Sequence, residues 1–509
     1  MTLYAVLTRS AVAFPAKPAI YFREHTIGYA QLAGLVNRTI HALKSDGIRA
    51  GKSVALLLPN CPQFVVSYYS STALGAMCVP VNPLLKAHEL SYIWGDCKAD
   101  IIITIAPCLQ NALDALEMMG NNIPILIVGE PVEGQRNFDS WISEFPTTPP
   151  TLDSVDPDSP AVCIYTSGTT GRPKGALLSH NNLIINCEQV RQALHLDERD
   201  NFLCVLPLFH SFAGTVCQNT PIHAGATITI LEQFQPNRVL EAVAKYQTTV
   251  FAGVPAMFGA LLQYGSTTPH DFSSVRISVS GGAPMPVALM SQFEATFNTT
   301  IIEGDGPTEC SPVTSVNPVD GIRKPGTVGL PIPGCEVKIF DDNDNELATE
   351  EIGEIVVRGK NVMLGYLNQP EETAKAMTSG WYHTGDIGKI DADGYISILD
   401  RKKDMLLVGG FNVYPREIEE VLYAHPAVKD AAVIGAPDKM RGEEVVAVIS
   451  LKPDATATNR EIISYCREQL ANYKVPRRVI FRDELPRGGT GKILKRLLRK
   501  ELDMEGNGE

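Results

Sequence analysis

Tyr165-Thr166-Ser167-Gly168-Thr169-Thr170-Gly171-Arg172-Pro173-Lys174-Gly175 decides how this sequence is read. Its eleven positions hold four small hydroxyl side chains, three glycines and a lysine. The stretch follows Ala161-Val162-Cys163-Ile164, an apolar, β-branched run that predicts a strand. Glycine lets the backbone approach an anion closely, because no Cβ stands in the way and φ > 0 is allowed. Backbone amides and hydroxyls can then donate to phosphate oxygens, with Lys174 as a point charge. The pattern is that of a polyphosphate-gripping loop drawing on Thr166, Ser167, Gly168, Thr169, Thr170, Gly171 and Lys174. It is not a Walker A loop, which ends in Gly-Lys-[Ser/Thr]. Lys174 lies between Pro173 and Gly175, so the hydroxyl that holds Mg²⁺ in a P-loop is absent.

Outward from this loop, strand and helix patterns alternate. Before it, Leu32, Val36, Ile40 and Leu43 recur at helical spacing and Gly47 closes that helix. Residues 54–58 read as a buried strand, 63–74 as a helix, and 99–104 and 123–128 as further strands. Residues 139–160, rich in Pro, Thr, Asp and Ser, read as a loop delivering the chain to the phosphate motif. After it, Ser179 can cap a helix with Leu183, Cys187, Val190 and Leu194 on one face. Strand-like runs follow at 202–206, 227–230, 249–251, 277–279, 336–340 and 353–358. The alternation implies parallel strands with crossover helices. Residues 341–346 read as a solvated hairpin tip, since a calcium loop needs a glycine at its sixth position and a distal glutamate.

At 509 residues the chain exceeds one ordinary core, since domains run to about 100–200 residues. A second unit begins near Asp400. It reads as a strand at 405–408, a helix opened by Pro415, strands at 429–435 and 445–451, a helix at 460–470, a strand at 478–482 and a basic helix after Lys492. Its roughly hundred residues suffice for a small α+β domain. The expected fold class is therefore α/β: a large N-terminal domain of layered α/β subdomains over residues 1–399, and a small mobile α+β domain over 400–509.

With 44% hydrophobic and 20% charged residues, the composition is that of a soluble globular protein. A net charge of −13 argues against a nucleic-acid partner, which calls for a basic face. Eleven cysteines, an odd number without a Cys-x-x-Cys pair, suit reduced thiols and a cytoplasmic location rather than a disulfide frame or zinc site. The N-terminus lacks the basic flank and long apolar core of a signal peptide, and no apolar run reaches the roughly 18–20 residues of a membrane span. Peripheral membrane contact and homodimerisation stay open.

The phosphate loop and the motifs after it resemble, in their order, those of the adenylate-forming superfamily: acyl-CoA synthetases, firefly luciferase and peptide-synthetase adenylation domains. The resemblance runs from about Tyr29 to Arg499. Adenylate chemistry joins a carboxylate to the α-phosphorus of ATP and expels pyrophosphate, and the resemblance assigns residues to each task. His210, within Leu206-Pro207-Leu208-Phe209-His210-Ser211-Phe212, matches the residue at the mouth of the acyl pocket and is expected to orient substrate. Ser280-Gly281-Gly282-Ala283-Pro284 matches the loop lying against adenine. In Glu303-Gly304-Asp305-Gly306-Pro307-Thr308-Glu309, Thr308 matches the α-phosphate contact and Glu309 the Mg²⁺ ligand. Asp305 departs from the pattern, because most relatives carry an aromatic there that stacks on adenine. In Trp381-Tyr382-His383-Thr384-Gly385-Asp386, Asp386 matches the acceptor of the ribose hydroxyls. In Asp400-Arg401-Lys402-Lys403-Asp404, Arg401 is implied to reach ribose or phosphate, and Lys403 to be the hinge of a 400–403 junction. Gly410, in Gly409-Gly410-Phe411-Asn412-Val413-Tyr414-Pro415, matches the segment that lines the pantetheine path once the small domain has turned. Lys492, after Pro486-Arg487-Gly488-Gly489-Thr490-Gly491, matches the catalytic lysine. It is expected at a helix N-terminus, where a cation runs against the helix dipole.

The resemblance is nearest to the long-chain fatty-acid–CoA ligases, notably in Ser311-Pro312-Val313-Thr314-Ser315-Val316-Asn317-Pro318 and over 400–415. It implies ATP, Mg²⁺ and coenzyme A, with a medium- or long-chain fatty acid as the acyl donor. The alternatives are an aryl or short-chain acyl-CoA ligase, an acyl-AMP ligase serving a carrier protein, and a catalytically silent nucleotide- or acyl-binding protein.

Overall fold

The computed structural model describes residues 1–166, 172–267, 270–438, 441–488 and 491–506. Two large, mainly parallel sheets organise the first four hundred residues. In one, the strands Pro18–Phe22, Thr227–Ile230, Asn201–Cys204, Val250–Gly253, Ile277–Ser280 and Ile301–Asp305 lie side by side and parallel. Antiparallel His25–Gly28 edges it on one side, and Ser315–Val316 and Leu330–Pro331 edge it on the other. In the second, Pro160–Thr166, Met77–Pro80, Ser53–Leu57, Ile101–Ile105, Ile125–Val128 and Arg136–Asn137 are parallel. Lys174–Ser179 and Gly365–Tyr366 extend it antiparallel.

Parallel sheets need both faces covered, so their strands are buried along their length. Ser53–Leu57 and Thr227–Ile230 are buried at every residue. One core cluster unites the two sheets, with Leu56 and Ile103 from one, Phe202 and Ile228 from the other, and Phe64, Leu183 and Val190 on intervening helices. The helix His180–Ala193 starts as expected: Ser179 accepts from Asn182 N–H at 3.1 Å, and Asn182 returns a bond to the Ser179 amide at 2.8 Å.

A third, antiparallel sheet of Cys335–Phe340, Gly353–Gly359, Trp381–Ile390, Met377–Thr378 and Ile396–Arg401 follows. Its first connection is the acidic tip, where Asp341 accepts from the amides of Asn343 and Asn345, both at 2.8 Å. The fourth sheet belongs to the small C-terminal unit: Phe411–Val413, Leu406–Val408, Gly442–Leu451, Val428–Asp438 and Arg478–Phe481. The helices Pro415–Ala424 and Asn459–Gln469 pack Ile418, Leu422, Ile462 and Cys466 on one face. The helix Lys495–Gly506 covers the other through Leu498 and Leu502.

Three details differ from the sequence reading. The stretch read as a loop from 139 opens with the helix Phe138–Ser143, whose start is capped by Asn137 Oδ1 accepting from Ser140 N–H at 2.9 Å. The segment 411–413 is a strand, turned back on 406–408 by Gly409 and Gly410 at φ 59° and 87°, the left-handed backbone of a two-residue hairpin. The last helix begins at Lys495, so Lys492 precedes it on a turn closed by Gly488 N–H to Lys492 O at 2.8 Å. Lys492 therefore lies outside that helix, three residues before its first, and the expected opposition to a helix dipole does not arise there.

Candidate active site

The phosphate loop joins an antiparallel hairpin. Thr166 pairs with Lys174 and Tyr165 with Gly175, so Ser167, Gly168, Thr169, Thr170 and Gly171, which lie outside the described residues, connect two strands rather than a strand and a helix. The hairpin base is fixed by its neighbours. Tyr165 Oη donates to Asp96 Oδ2 at 2.7 Å, Tyr92 Oη donates to Pro173 O at 3.1 Å, and a Cβ on Gly175 would meet Cys163 Sγ at 2.6 Å. Lys174 does not stand free: its ammonium is ion-paired with Glu372 and lies 5.1 Å from the Tyr366 ring centroid.

Opposite the hairpin, Glu309 sits in the short 3₁₀ turn Thr308–Cys310, 8% exposed. Its backbone O accepts from Met363 N–H at 2.7 Å, and Oε1 accepts from Tyr366 Oη at 2.9 Å and Thr166 Oγ1 at 3.5 Å. These bonds hold one carboxylate oxygen and leave Oε2 without a hydrogen-bond donor among the described residues. Just before the turn, only glycine fits at 306, since a Cβ there would sit 2.2 Å from Pro312 O. Thr308 Oγ1 is 2.9 Å from Ser211 Oγ, which ties this turn to the loop carrying His210.

Asn60 pins that loop from below, donating to Leu206 O at 2.9 Å and accepting from Leu208 N–H at 2.8 Å. Beyond Phe212 the chain runs into a π-helical turn, Ala213–Asn219, of the kind found at functional sites. Buried Asn219 anchors it, donating to Tyr68 Oη and accepting from Tyr69 Oη, each at 2.9 Å. Burial, helped by the charge of Lys492, pushes the His210 pKa down to about 4. The imidazole is therefore neutral at pH 7 and suited to hydrogen bonding rather than to carrying charge.

Asp386 and Arg401 face each other on paired strands, with Arg401 Nε 2.6 Å from Asp386 Oδ1. Thr384 Oγ1 accepts from the Asp386 amide at 3.0 Å and donates to Ile355 O at 2.7 Å, which fixes the bend that presents the carboxylate. Burial raises the Asp386 and Asp305 carboxyls, against the pull of Arg401 on both. Burial alone would lower the Arg401 pKa, but the two carboxylates outweigh it and hold it above the usual value. Lys492 is open to the cleft and walled by it; that confinement and the charge of Arg401 lower its pKa.

A single cleft of about 2880 Å³ brings together Thr166, Lys174, His210, Gly282, Ala283, Gly304, Asp305, Gly306, Thr308, Glu309, Asp386, Arg401, Lys403 and Lys492. Gly281 lies beside the Phe212 ring, which a Cβ at that position would approach to 3.3 Å, and it lines a second, apolar pocket of about 50 Å³. That pocket shares His210, Phe212 and Gly304–Gly306 with the cleft and is lined elsewhere by Val190, Leu194, Val316 and Ile332. Gly410 is apart from both cavities, at the tip of its hairpin. Sequence reasoning missed Tyr366, Glu372 and Arg416. Arg416 is 8% exposed and donates to Ile398 O at 2.6 Å, with its amide on Asp400 Oδ2 at 2.9 Å and its guanidinium 3.9 Å from Glu303. None lies in a glycine-rich or hydroxyl-rich stretch, so only tertiary pairing reveals them.

Two large α/β sheets, a small α+β unit over their edge, and a charged cleft between them with an apolar recess define a two-domain, nucleotide-handling enzyme class. The chain belongs to the AMP-binding enzyme family: the family's main domain matches residues 7–367, and its AMP-binding enzyme C-terminal domain matches residues 417–492. It is an adenylate-forming enzyme, similar to the long-chain-fatty-acid–CoA ligase of Bacillus subtilis (36% identical, covering 98% of this chain and 94% of that protein). It is also similar to a feruloyl-CoA synthase of Amycolatopsis (36% identical, covering 97% of this chain and 98% of that protein). The crystal structure of the anthranilate CoA ligase AuaEII in complex with anthranoyl-AMP superposes with a TM-score of 0.95 at 31% identity, covering all of this chain and 98% of that one. Among the described residues no helix is long and apolar enough to cross a membrane, and all eleven cysteines are free and buried.

Proposed function

We propose that the protein is an AMP-forming acyl-CoA ligase that activates a fatty acid through an acyl-adenylate and passes the acyl group to coenzyme A. The observation that carries this reading is the convergence of Glu309, Asp386–Arg401 and Lys492 on one cleft, with the apolar pocket opening behind His210. In the first half-reaction a carboxylate oxygen attacks the α-phosphorus of ATP and pyrophosphate leaves. Asp386 accepts from the ribose hydroxyls and Arg401 steadies that carboxylate. Lys492 places its ammonium between the attacking carboxylate and the α-phosphate, where negative charge builds up. Thr308 donates to the α-phosphate and neutral His210 orients the acyl carboxylate. In the second half-reaction the thiol of coenzyme A attacks the acyl carbon and AMP leaves.

The free Oε2 of Glu309 fits a hard cation. Mg²⁺ takes one or two carboxylates plus phosphate oxygens, and among the described residues no cluster of three His, Cys, Asp or Glu offers a fuller metal cage. When bound there, Mg²⁺ would neutralise charge on the phosphates. The family's two-position mechanism accounts for Gly410: turning the small domain about Lys403 exchanges the Lys492 turn for the Gly410 hairpin over the same cleft.

On substrate, each CH₂ buried in an apolar tunnel contributes about 0.8 kcal/mol, so affinity should climb with chain length until the pocket is full. The small volume of that pocket favours a second reading. At about 50 Å³ it has room for on the order of four waters, so a long tail requires Phe212 or the π-turn to move, whereas a short or aromatic acid does not. A panel of acids from acetate through benzoate to oleate, scored by CoA consumption, separates the two. A kcat/KM that rises through C8–C16 supports the fatty-acid reading. A flat profile, or a maximum at an aromatic acid, refutes it.

A further inference from the structure

Glu372 occupies the phosphate end of the cleft, where the bound polyanion needs cations. Its carboxylate pairs with Lys174, whose side chain is only 14% exposed, and with Lys375 Nζ at 2.8 Å. The segment that carries it is built onto the loop's own second strand. Gly365–Tyr366 pairs with Ala176 and Leu177, Leu367 N–H donates to Gly175 O at 2.8 Å, and Tyr366 N–H donates to Thr373 Oγ1 at 2.8 Å. Glu372 is therefore held beside Lys174 by the fold and does not drift there as a surface side chain would. The same Tyr366 that underlies Lys174 donates to Glu309, so the lysine, the glutamate and the candidate metal ligand share one platform.

We infer that Glu372 is a positioning residue that acts through Lys174: it holds the ammonium in the empty cleft, yields it to the polyphosphate of ATP, and reclaims it as pyrophosphate departs. The inference rests on the reading of this cleft as an ATP site. One carboxylate competing for one ammonium weakens the grip on both ATP and pyrophosphate by the same factor, because both place phosphate oxygens against Lys174. Partly buried at 28% exposure, Glu372 should cost about three- to tenfold in affinity for each. The benefit lies in release, since a site that holds pyrophosphate as tightly as a free lysine would slow every turnover.

The test is calorimetric titration of the full-length protein, without acid or CoA, with Mg·ATP and separately with Mg·pyrophosphate. Glu372→Gln keeps the shape and removes the charge. Both dissociation constants should fall about three- to tenfold, KM for ATP should fall with them, and KM for the acid should stay put. Glu372→Asp restores the charge and should return both constants to within about twofold of wild type. Unchanged constants for Glu372→Gln, or a change in ATP but not pyrophosphate, overturn the inference alone. Absence of Mg·ATP binding to the wild-type protein overturns the reading of the cleft on which it stands.

Discussion

Lys492→Ala should separate the two half-reactions. The side chain is open to the cleft, and its turn is closed by main-chain bonds, Gly488 N–H to Lys492 O at 2.8 Å and Gly491 N–H to Gly488 O at 2.9 Å. Alanine keeps those bonds and buries nothing new, so stability should stay within about 0.5 kcal/mol of wild type. The catalytic cost is of another size. Lys492 is a preorganised cation in a walled cleft beside Arg401 and Asp386, and removing one such group costs about 10²–10³-fold in rate, or about 2.7–4 kcal/mol of transition-state stabilisation. That loss should appear in acid-dependent pyrophosphate release. The second half-reaction, measured as thioester formed from pre-made acyl-adenylate and CoA, should run within a few-fold of wild type, because in the proposed two-position mechanism the small domain has by then turned the Lys492 loop away from the cleft. Equal loss in both assays, or a fall in melting temperature large enough to explain the loss, would refute the assignment.

Lys403→Pro should do the reverse. The Lys403 amide donates no hydrogen bond among the described residues, so proline removes none; it fixes φ at the junction, and acyl-adenylate should accumulate while CoA transfer stalls. Unimpaired CoA transfer would count against a hinge there. Asp305→Tyr should leave turnover unchanged or tighten ATP binding by adding a stacking ring; loss of ATP binding would show that the carboxylate has its own contact with the nucleotide. Glu303→Gln should stabilise the protein in a pH-dependent way. Burial raises the Glu303 pKa to about 7, against the opposing charge of Arg416, and one of its oxygens has no hydrogen-bond partner. A raised carboxyl favours folding below its unfolded value near 4.5 and loses that advantage as pH rises through 7. The amide should therefore gain up to about 3 kcal/mol at pH 8 and almost nothing at pH 4.5, read as denaturant midpoints. A gain independent of pH would mean that folding leaves the Glu303 pKa unshifted.

The parts of the fold legible in the sequence are those whose signal is local. Isoleucine-rich runs such as Ile101–Ile105 mark buried parallel strands, and Ser179 followed by Asn182 marks a helix start. The site residues legible in this way sit in dense glycine, hydroxyl or charge motifs. The rest depends on contacts across long separations. Glu372 meets Lys174 across 198 residues, and Arg416 reaches Glu303 only because the small unit lies against the large one. The π-turn at 213–219 is held by Tyr68, Tyr69 and Asn219, a triad with no periodicity to detect. The last helix starts at Lys495 rather than directly after Lys492, because Arg487 and Ile493 form a bridge that closes a turn where the charge pattern reads as helix.

The central claim is that this cleft joins a carboxylate to AMP. Acid-dependent exchange of labelled pyrophosphate into ATP, measured without coenzyme A, tests it most directly. The account predicts exchange that requires both Mg²⁺ and a carboxylic acid, falls about 10²–10³-fold or more in Lys492→Ala, and persists in Lys403→Pro. Exchange that occurs only when coenzyme A is present, or ATP consumed to ADP and phosphate instead, would contradict it.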